Sequence, residues 1–430
     1  MNGLKYFAFF TILGISAANA QTIRTLTLDD AIHDVLSASP QVKQSKFQIN
    51  AAEARVNSTK SSDYPEADAR FSYARVSPVS SMAFGPSLFQ LNPANNYDGH
   101  IDINAVVYDF HKRTLAKDRS ITGVVSAQDQ LELARQSLSY QTAKLFYSIL
   151  FIRKSIDVHN EEVHTLQEHL EMTKKKIESG TATDFDVMTI QVRIASALNK
   201  GIDLANALQR AVIQLKESAH FPAEDSLQLV GSFDSVPVPS SDSSLVQQAF
   251  ASRVELKAVD NAITAASIQK DLASLGNYPA LNFHFAYGVK NGLFPNIDAW
   301  RGNYVAALEL SVPLFNGFND EYQVDEAEAE INSVQEQKNF MIQQIQTEIR
   351  QALSTVQSNR EKVRIAQFTI EQAQKALAIA RIRYTAGTIT NLDLLDAETS
   401  LAEAQFQKVQ ALYTEVLSSV ELDQASGKNL

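Results

Sequence analysis

The 430-residue chain has no cysteine, so disulfides, thiolate metal sites and a lipid anchor on a mature N-terminal cysteine are all excluded. Glycine and proline are sparse, at 15 and 11 residues, which leaves few break points and favours long helices. Acids outnumber bases to a formal net charge of −11, which argues against a nucleic-acid partner. Beyond the first twenty residues the longest strongly apolar stretch is "LFYSILFI", Leu145 to Ile152. A spanning helix needs about 20 apolar residues, so any membrane residence must use strands. Catalytic signatures are missing too. There is no glycine-rich phosphate loop after a strand, no G-x-S-x-G elbow and no H-E-x-x-H pair, and neither enzymatic activity nor a cofactor is expected.

What is present begins with "MNGLKYFAFFTILGISAANA". Lys5, the apolar run Tyr6 to Ile15, and Ala18-Asn19-Ala20 before Gln21 have the layout of a cleavable secretory signal, so residues 1–20 are set apart. The remainder repeats itself. "SGTATDFDVMTIQVRI" from Ser179 and "AGTITNLDLLDAETSL" from Ala386 share Gly-Thr-x-Thr with an aspartate six residues after the glycine, Asp186 and Asp393. Gly180 and Gly387 are 207 positions apart, as are "VYDFHKR" at Val107 and "LFNGFND" at Leu314. The equal spacing marks a structural duplication. The expected order is a first repeat over 21–220, a Pro/Ser/Asp linker over 221–244 draped on the outside, a second repeat over 245–422 and a tail over 423–430.

The constant spacer reads as a helix. Val363, Ala366, Ile370, Ala373, Leu377, Ala380 and Tyr384 alternate steps of three and four, the 3.5-residue period of a coiled coil. From Asn319 to Thr385 such a helix would be about 100 Å long. A second seam, Ile365, Phe368, Gln372, Lys375, Ile379 and Ile382, runs beside the first. Two seams suit a helix with a neighbour on each side, as in a cylindrical wall, whereas an ordinary bundle helix would be far shorter. Thr27 is an expected N-cap, with a helical break near Pro40.

Four segments instead alternate with period two: "YPEADARFSY" from Tyr64, "HIDINAVVY" from His100, "LNFHFAYGV" from Leu281 and "YVAALELSVPL" from Tyr304. Spans of about ten residues, apolar on one side and polar on the other, fit an outer-membrane barrel. A four-stranded soluble sandwich with one wet face has the same alternation. Four strands cannot close a useful barrel, so the barrel reading requires several chains.

In order and duplicated, "LTLDDAI", "YPEADARFSY", "YPALNFHFAYG", "SVPLFNGF", "SRVEL" and the two Gly-Thr turns resemble the TolC family of outer-membrane efflux and secretion channels. The resemblance implies a mainly α fold with a β-barrel part. Three chains form a long-helix α-barrel tunnel through the periplasm, continuous with a twelve-stranded barrel in outer-membrane lipid, four strands per chain. It further implies a passive duct fed by an inner-membrane transporter through a periplasmic adaptor protein. A periplasmic adaptor or structural coiled-coil protein is the alternative, since adaptors also carry long helical hairpins.

Site residues follow from the same resemblance. Gly180, Thr181, Gly387 and Thr388 would form the hairpin tips where an adaptor docks. Asp393 and Asp396 match acids that ring the periplasmic constriction, and three positions apart they share a helix face. Tyr384 matches a tyrosine that holds the tip closed, with Asp186 as its expected partner. Where some members carry a basic residue two after the second glycine, this chain has Ile389. Finally, "HNEEVHTLQEHLE" over His159 to Glu171 invites a metal reading through His164 and His169. Five-residue spacing places them about 140° apart on a helix, so no metal is expected, and the stretch is read as a solvated helix face.

Overall fold

The computed structural model describes residues 23–233, 242–428 and 430. The export signal expected over 1–20 and part of the expected linker lie outside the described residues. Two series of helices follow one another with matching lengths. Helices α1 (Leu28–Ala38), α2 (Pro40–Lys60), α3 (Lys112–Glu178) and α4 (Asp184–Ser218) have 11, 21, 67 and 35 residues. Helices α5 (Asp242–Ser252), α6 (Val254–Ser274), α7 (Asn319–Thr385) and α8 (Asn391–Ala425) have the same four lengths in the same order.

Compact packing divides the described chain differently from the repeat. Of the described residues, one unit draws on 23–39, 138–233 and 356–420; the other takes 40–137, 242–355, 421–428 and 430. Each repeat therefore contributes helices to both units.

In the first unit, a core of Val35, Phe146, Ile149, Leu150 and Leu215 gathers α1, α3 and α4 around a small parallel sheet. That sheet pairs β1 (Ile23–Leu26) with β6 (Ser226–Leu229). It corrects the expectation of an external linker over 221–244: Leu227 and Leu229 alternate into the core, and burying them outweighs leaving the segment in solvent. Thr27 caps α1 as expected, its hydroxyl accepting from the Asp30 amide while Asp30 accepts from the Thr27 amide.

The second unit holds an antiparallel sheet in the order β2 (Glu66–Arg75), β5 (Asn95–Tyr108), β7 (Ala280–Lys290) and β8 (Arg301–Ser311). Registers such as Ala69 opposite Ile101, Ile101 opposite Tyr287 and Tyr287 opposite Tyr304 align the apolar residues on one face. The other face carries Asp68, Arg70, His100, Asp102 and His284. The apolar face is uncovered, with Phe71 86%, Tyr304 72% and Leu308 68% exposed, while Asp102 on the polar face is buried. A soluble sandwich would cover the apolar side, so this exposure decides against one. A further hairpin, β3 (Ser81–Phe84) with β4 (Ser87–Gln90), occupies the longer loop of the first repeat. The junctions from β5 to α3 and from β8 to α7 each turn through two consecutive left-handed residues, Phe110 and His111 in the first, Gly317 and Phe318 in the second.

Helix α6 opens at the "SRVEL" motif. The Arg253 guanidinium donates to Glu255 and, at 2.6 Å, to Glu348 of α7, which ties the two helices together. Although burial opposes a charge there, these bonds hold the guanidinium above and the Glu255 carboxyl below their ordinary ranges.

Gly288 on β7 meets the Gly99 carbonyl so closely that an added Cβ would lie 2.2 Å from it, whereas a Cβ on Gly302 would be no nearer than 3.9 Å to the Gly288 carbonyl. Gly288→Val should therefore abolish heat-resistant assembly in membrane fractions, and Gly302→Ala should leave it intact, as read by gel mobility with and without boiling.

Candidate functional site

The two Gly-Thr turns have the same backbone chemistry. Gly180 and Gly387 both adopt a φ of +73°, in the left-handed region, with open space around each. Glycine is required there by conformation rather than by room. After it, the Thr181 amide donates to the Lys176 carbonyl at 2.8 Å and the Thr388 amide to the Arg383 carbonyl at 2.9 Å, closing each long helix with a six-to-one bond. The two threonine hydroxyls donate to the same carbonyls. Two residues later the next helix begins with its own cap. The Asp186 carboxylate accepts from the Thr183 amide and hydroxyl at 2.9 and 2.8 Å, and Asp393 does the same for Thr390 at 2.8 and 2.7 Å. The paired acids of the repeat are thus the third helical residues of capping boxes, and seven residues suffice to stop one helix and start another.

This capping role changes the expected latch. With Asp186 engaged by Thr183, Tyr384 does not bond to it and is paired with Thr173 of α3, hydroxyl to hydroxyl at 3.0 Å. Burial pushes the Tyr384 hydroxyl above its usual range, the Thr173 bond opposes that, and the charges of Asp186 and Glu398 add to the rise. Tyr384 therefore stays neutral at physiological pH. Lys176 donates to the Tyr384 carbonyl, and its ammonium lies 4.3 Å from the ring centroid. Ile389 packs, half-buried, against Leu377, Tyr384 and Leu394, so an apolar contact occupies the position where a basic residue would stand.

On α8, Leu394, Leu395 and Glu398 are buried, while Asp393 and Asp396 are exposed. At 100° per residue the two acids lie about 60° apart on the face opposite the buried one. Asp396 has no side-chain partner among the described residues.

The expectation of a solvated face over His159 to Glu171 holds for His164, which lies exposed beside Glu168, but not for the other two histidines. His159 is buried against the Ala197 carbonyl, with Glu162 at 3.0 Å. His169 is buried against Glu398. Ser155, His159, Glu162, Leu166, His169, Thr173 and Lys176 alternate steps of four and three, a coiled-coil seam built largely from polar residues. Metal-ligand spacing masks the seam in that stretch, although a heptad count of the sequence reveals it as it does on α7. Among the described residues, no group of three or more potential ligands forms a metal site, and no helix is long and apolar enough to cross a membrane.

An open four-stranded sheet with a bare apolar face, in a chain with two 67-residue helices, defines one subunit of an outer-membrane channel. The outer membrane efflux protein family model matches residues 31–219 and 245–428, and the chain belongs to that family. Outer membrane protein TolC of Salmonella enteritidis is 20% identical over 434 residues, covering 97% of this chain and 85% of that protein. Alkaline protease secretion protein AprF of Pseudomonas aeruginosa is 23% identical over 346 residues, covering 78% and 66%. Among solved structures, the fold matches VceC from Vibrio cholerae with a TM-score of 0.77 at 20% identity, over 94% of this chain and 96% of that one. The Campylobacter jejuni CmeC outer membrane channel matches with 0.76 at 16% identity, over 99% and 94%. The protein is accordingly an outer-membrane duct for efflux or secretion that extends into the periplasm, and it is not an enzyme. Membership implies a trimer and pump partners in general.

The Thr390 hydroxyl, and after it the Thr390 amide, hold the Asp393 carboxyl below the usual aspartate range. A depressed folded-state value contributes stability that is present above the ordinary aspartate pKa of about 3.9 and is lost as pH falls through the folded-state value. Thr390→Val should move the Asp393 carboxyl resonance in NMR titration up toward that ordinary value. Backbone amides of the first α8 turn should exchange about fivefold faster, the effect of a typical lost cap.

Proposed function

We propose that Asp393 and Asp396, with Asp186 nearby, form the cation-attracting constriction at the periplasmic entrance of a three-chain duct. The observation that carries this reading is the placement of Asp393 and Asp396 on the face of α8 turned away from the chain's own core. Contributed by three chains, they make a ring of six carboxylates that attracts cations and repels anions. Tyr384 acts as the internal stay of the tip, through Thr173 rather than Asp186.

The second seam of α7 supports lateral assembly. Ile365, Phe368, Ile379 and Ile382 are all exposed within the chain, while every member of the first seam from Val363 to Tyr384 is buried or half-buried. On α4, Phe185, Met188, Val192 and Ile202 form another uncovered row. Burying such rows against neighbouring copies contributes about 1.5–3 kcal/mol for each large side chain. Gly180, Thr181, Gly387 and Thr388, all exposed, are the contact points for a periplasmic adaptor protein, which links the duct to an inner-membrane transporter.

In planar bilayers, Asp393→Asn combined with Asp396→Asn should lower cation selectivity and relieve block by divalent cations. Unchanged selectivity would remove these acids from the pore. Gly387→Val, which strains the left-handed turn, should weaken capture of the adaptor encoded in the same host while heat-resistant trimers persist. Normal export by that variant would exclude the turn from docking.

A further inference from the structure

His169 and Glu398 form a pair that neither the helix caps nor the tip turns use. Their side chains are 0% and 3% exposed, and His169 Nδ1 stands 2.9 Å from Glu398 Oε2, joining α3 to α8. Among the described residues the other ring nitrogen of His169 is buried without a hydrogen-bond partner, so there the imidazole is satisfied through its contact with Glu398. Tyr384 closes the remaining side with its ring edge-on, 5.3 Å between centroids, and is itself held by Thr173. Glu398 lies two residues after Asp396 and five after Asp393, on the buried side of the helix whose open face carries those acids.

Apolar seams tolerate slippage, because one aliphatic contact along a heptad resembles the next. A single buried polar pair does not, since any other register leaves both groups unpaired away from water. We propose that His169 and Glu398 are positioning residues for the entrance: their pair fixes the register and rotation of α8 on α3, and thereby places the Asp393 and Asp396 carboxylates at the constriction. This rests on the reading of those two acids as lining the entrance.

Single-channel recordings of the purified trimer with Mg²⁺ as blocker test it. His169→Leu should raise the Mg²⁺ concentration for half-block at least threefold. His169→Asn, whose side-chain N–H stands where Nδ1 stood, should return it to within twofold of the native channel, and His169→Gln, which carries its N–H farther out, should not. A space-filling role would instead favour leucine over asparagine. An assembled His169→Leu trimer with native block overturns the proposal. If His169→Leu does not assemble, the two amides decide: equal block in His169→Asn and His169→Gln overturns it. Asp393→Asn with Asp396→Asn is recorded alongside. Block lost there but retained in His169→Leu leaves the entrance reading standing and the positioning role refuted. Block retained in both refutes the two together.

Discussion

A long helix with two seams, only one of which its own chain covers, is the constraint on which the remaining structure depends. In α7 the seam from Val363 to Tyr384 is packed internally, and the seam from Ile365 to Ile382 is bare. The hydrophobic effect leaves such a face unstable in water and drives it toward a neighbour. The sheet poses the same problem in another solvent. Four strands expose their edges and one apolar face, and lateral closure plus lipid resolves both. Incompleteness of the single chain is thus built in twice, by helical and by strand periodicity.

Polar chemistry does the locating that apolar packing cannot. The two turns use one glycine, two threonines and one aspartate each to end a 67-residue helix and begin a 35-residue helix. A few positions away, the seam of α3 places serine, histidine, glutamate and threonine around a single leucine, Leu166. Buried His159, His169 and Thr173 each bond to another helix, so they specify one register where leucine would permit several. The buried tip residues and the exposed acids of α8 are two faces of the same arrangement.

Much of this was legible in the residues. Periodicity placed α7 at Asn319–Thr385 and located all four barrel strands, because long amphipathic patterns are dictated by burial and vary little with context. Gly180 and Gly387 were legible as turns because left-handed backbone leaves few alternatives. Three things were not. The strand over Ser226–Leu229 sits in a segment of turn-forming composition and is fixed by distant partners, the strand Ile23–Leu26 some 200 positions away and the core that Leu227 and Leu229 enter. The charge of Asp186 draws attention away from its position three residues after Thr183, which makes it a capping residue. The pairing of His169 with Glu398 joins residues 229 positions apart, which no local pattern announces.

The closed hydrogen-bonding of the turns bears on how anything could grip them. The amides of Gly180, Thr181 and Thr183, and of Gly387, Thr388 and Thr390, already donate within the loop. A visiting protein therefore finds no long unbroken run of free main-chain donors to zip onto as an added strand. It must read hydroxyls, methyls and contour on a preformed knob, a mode of recognition that asks little ordering of this side of the contact and puts the burden of adaptation on the visitor.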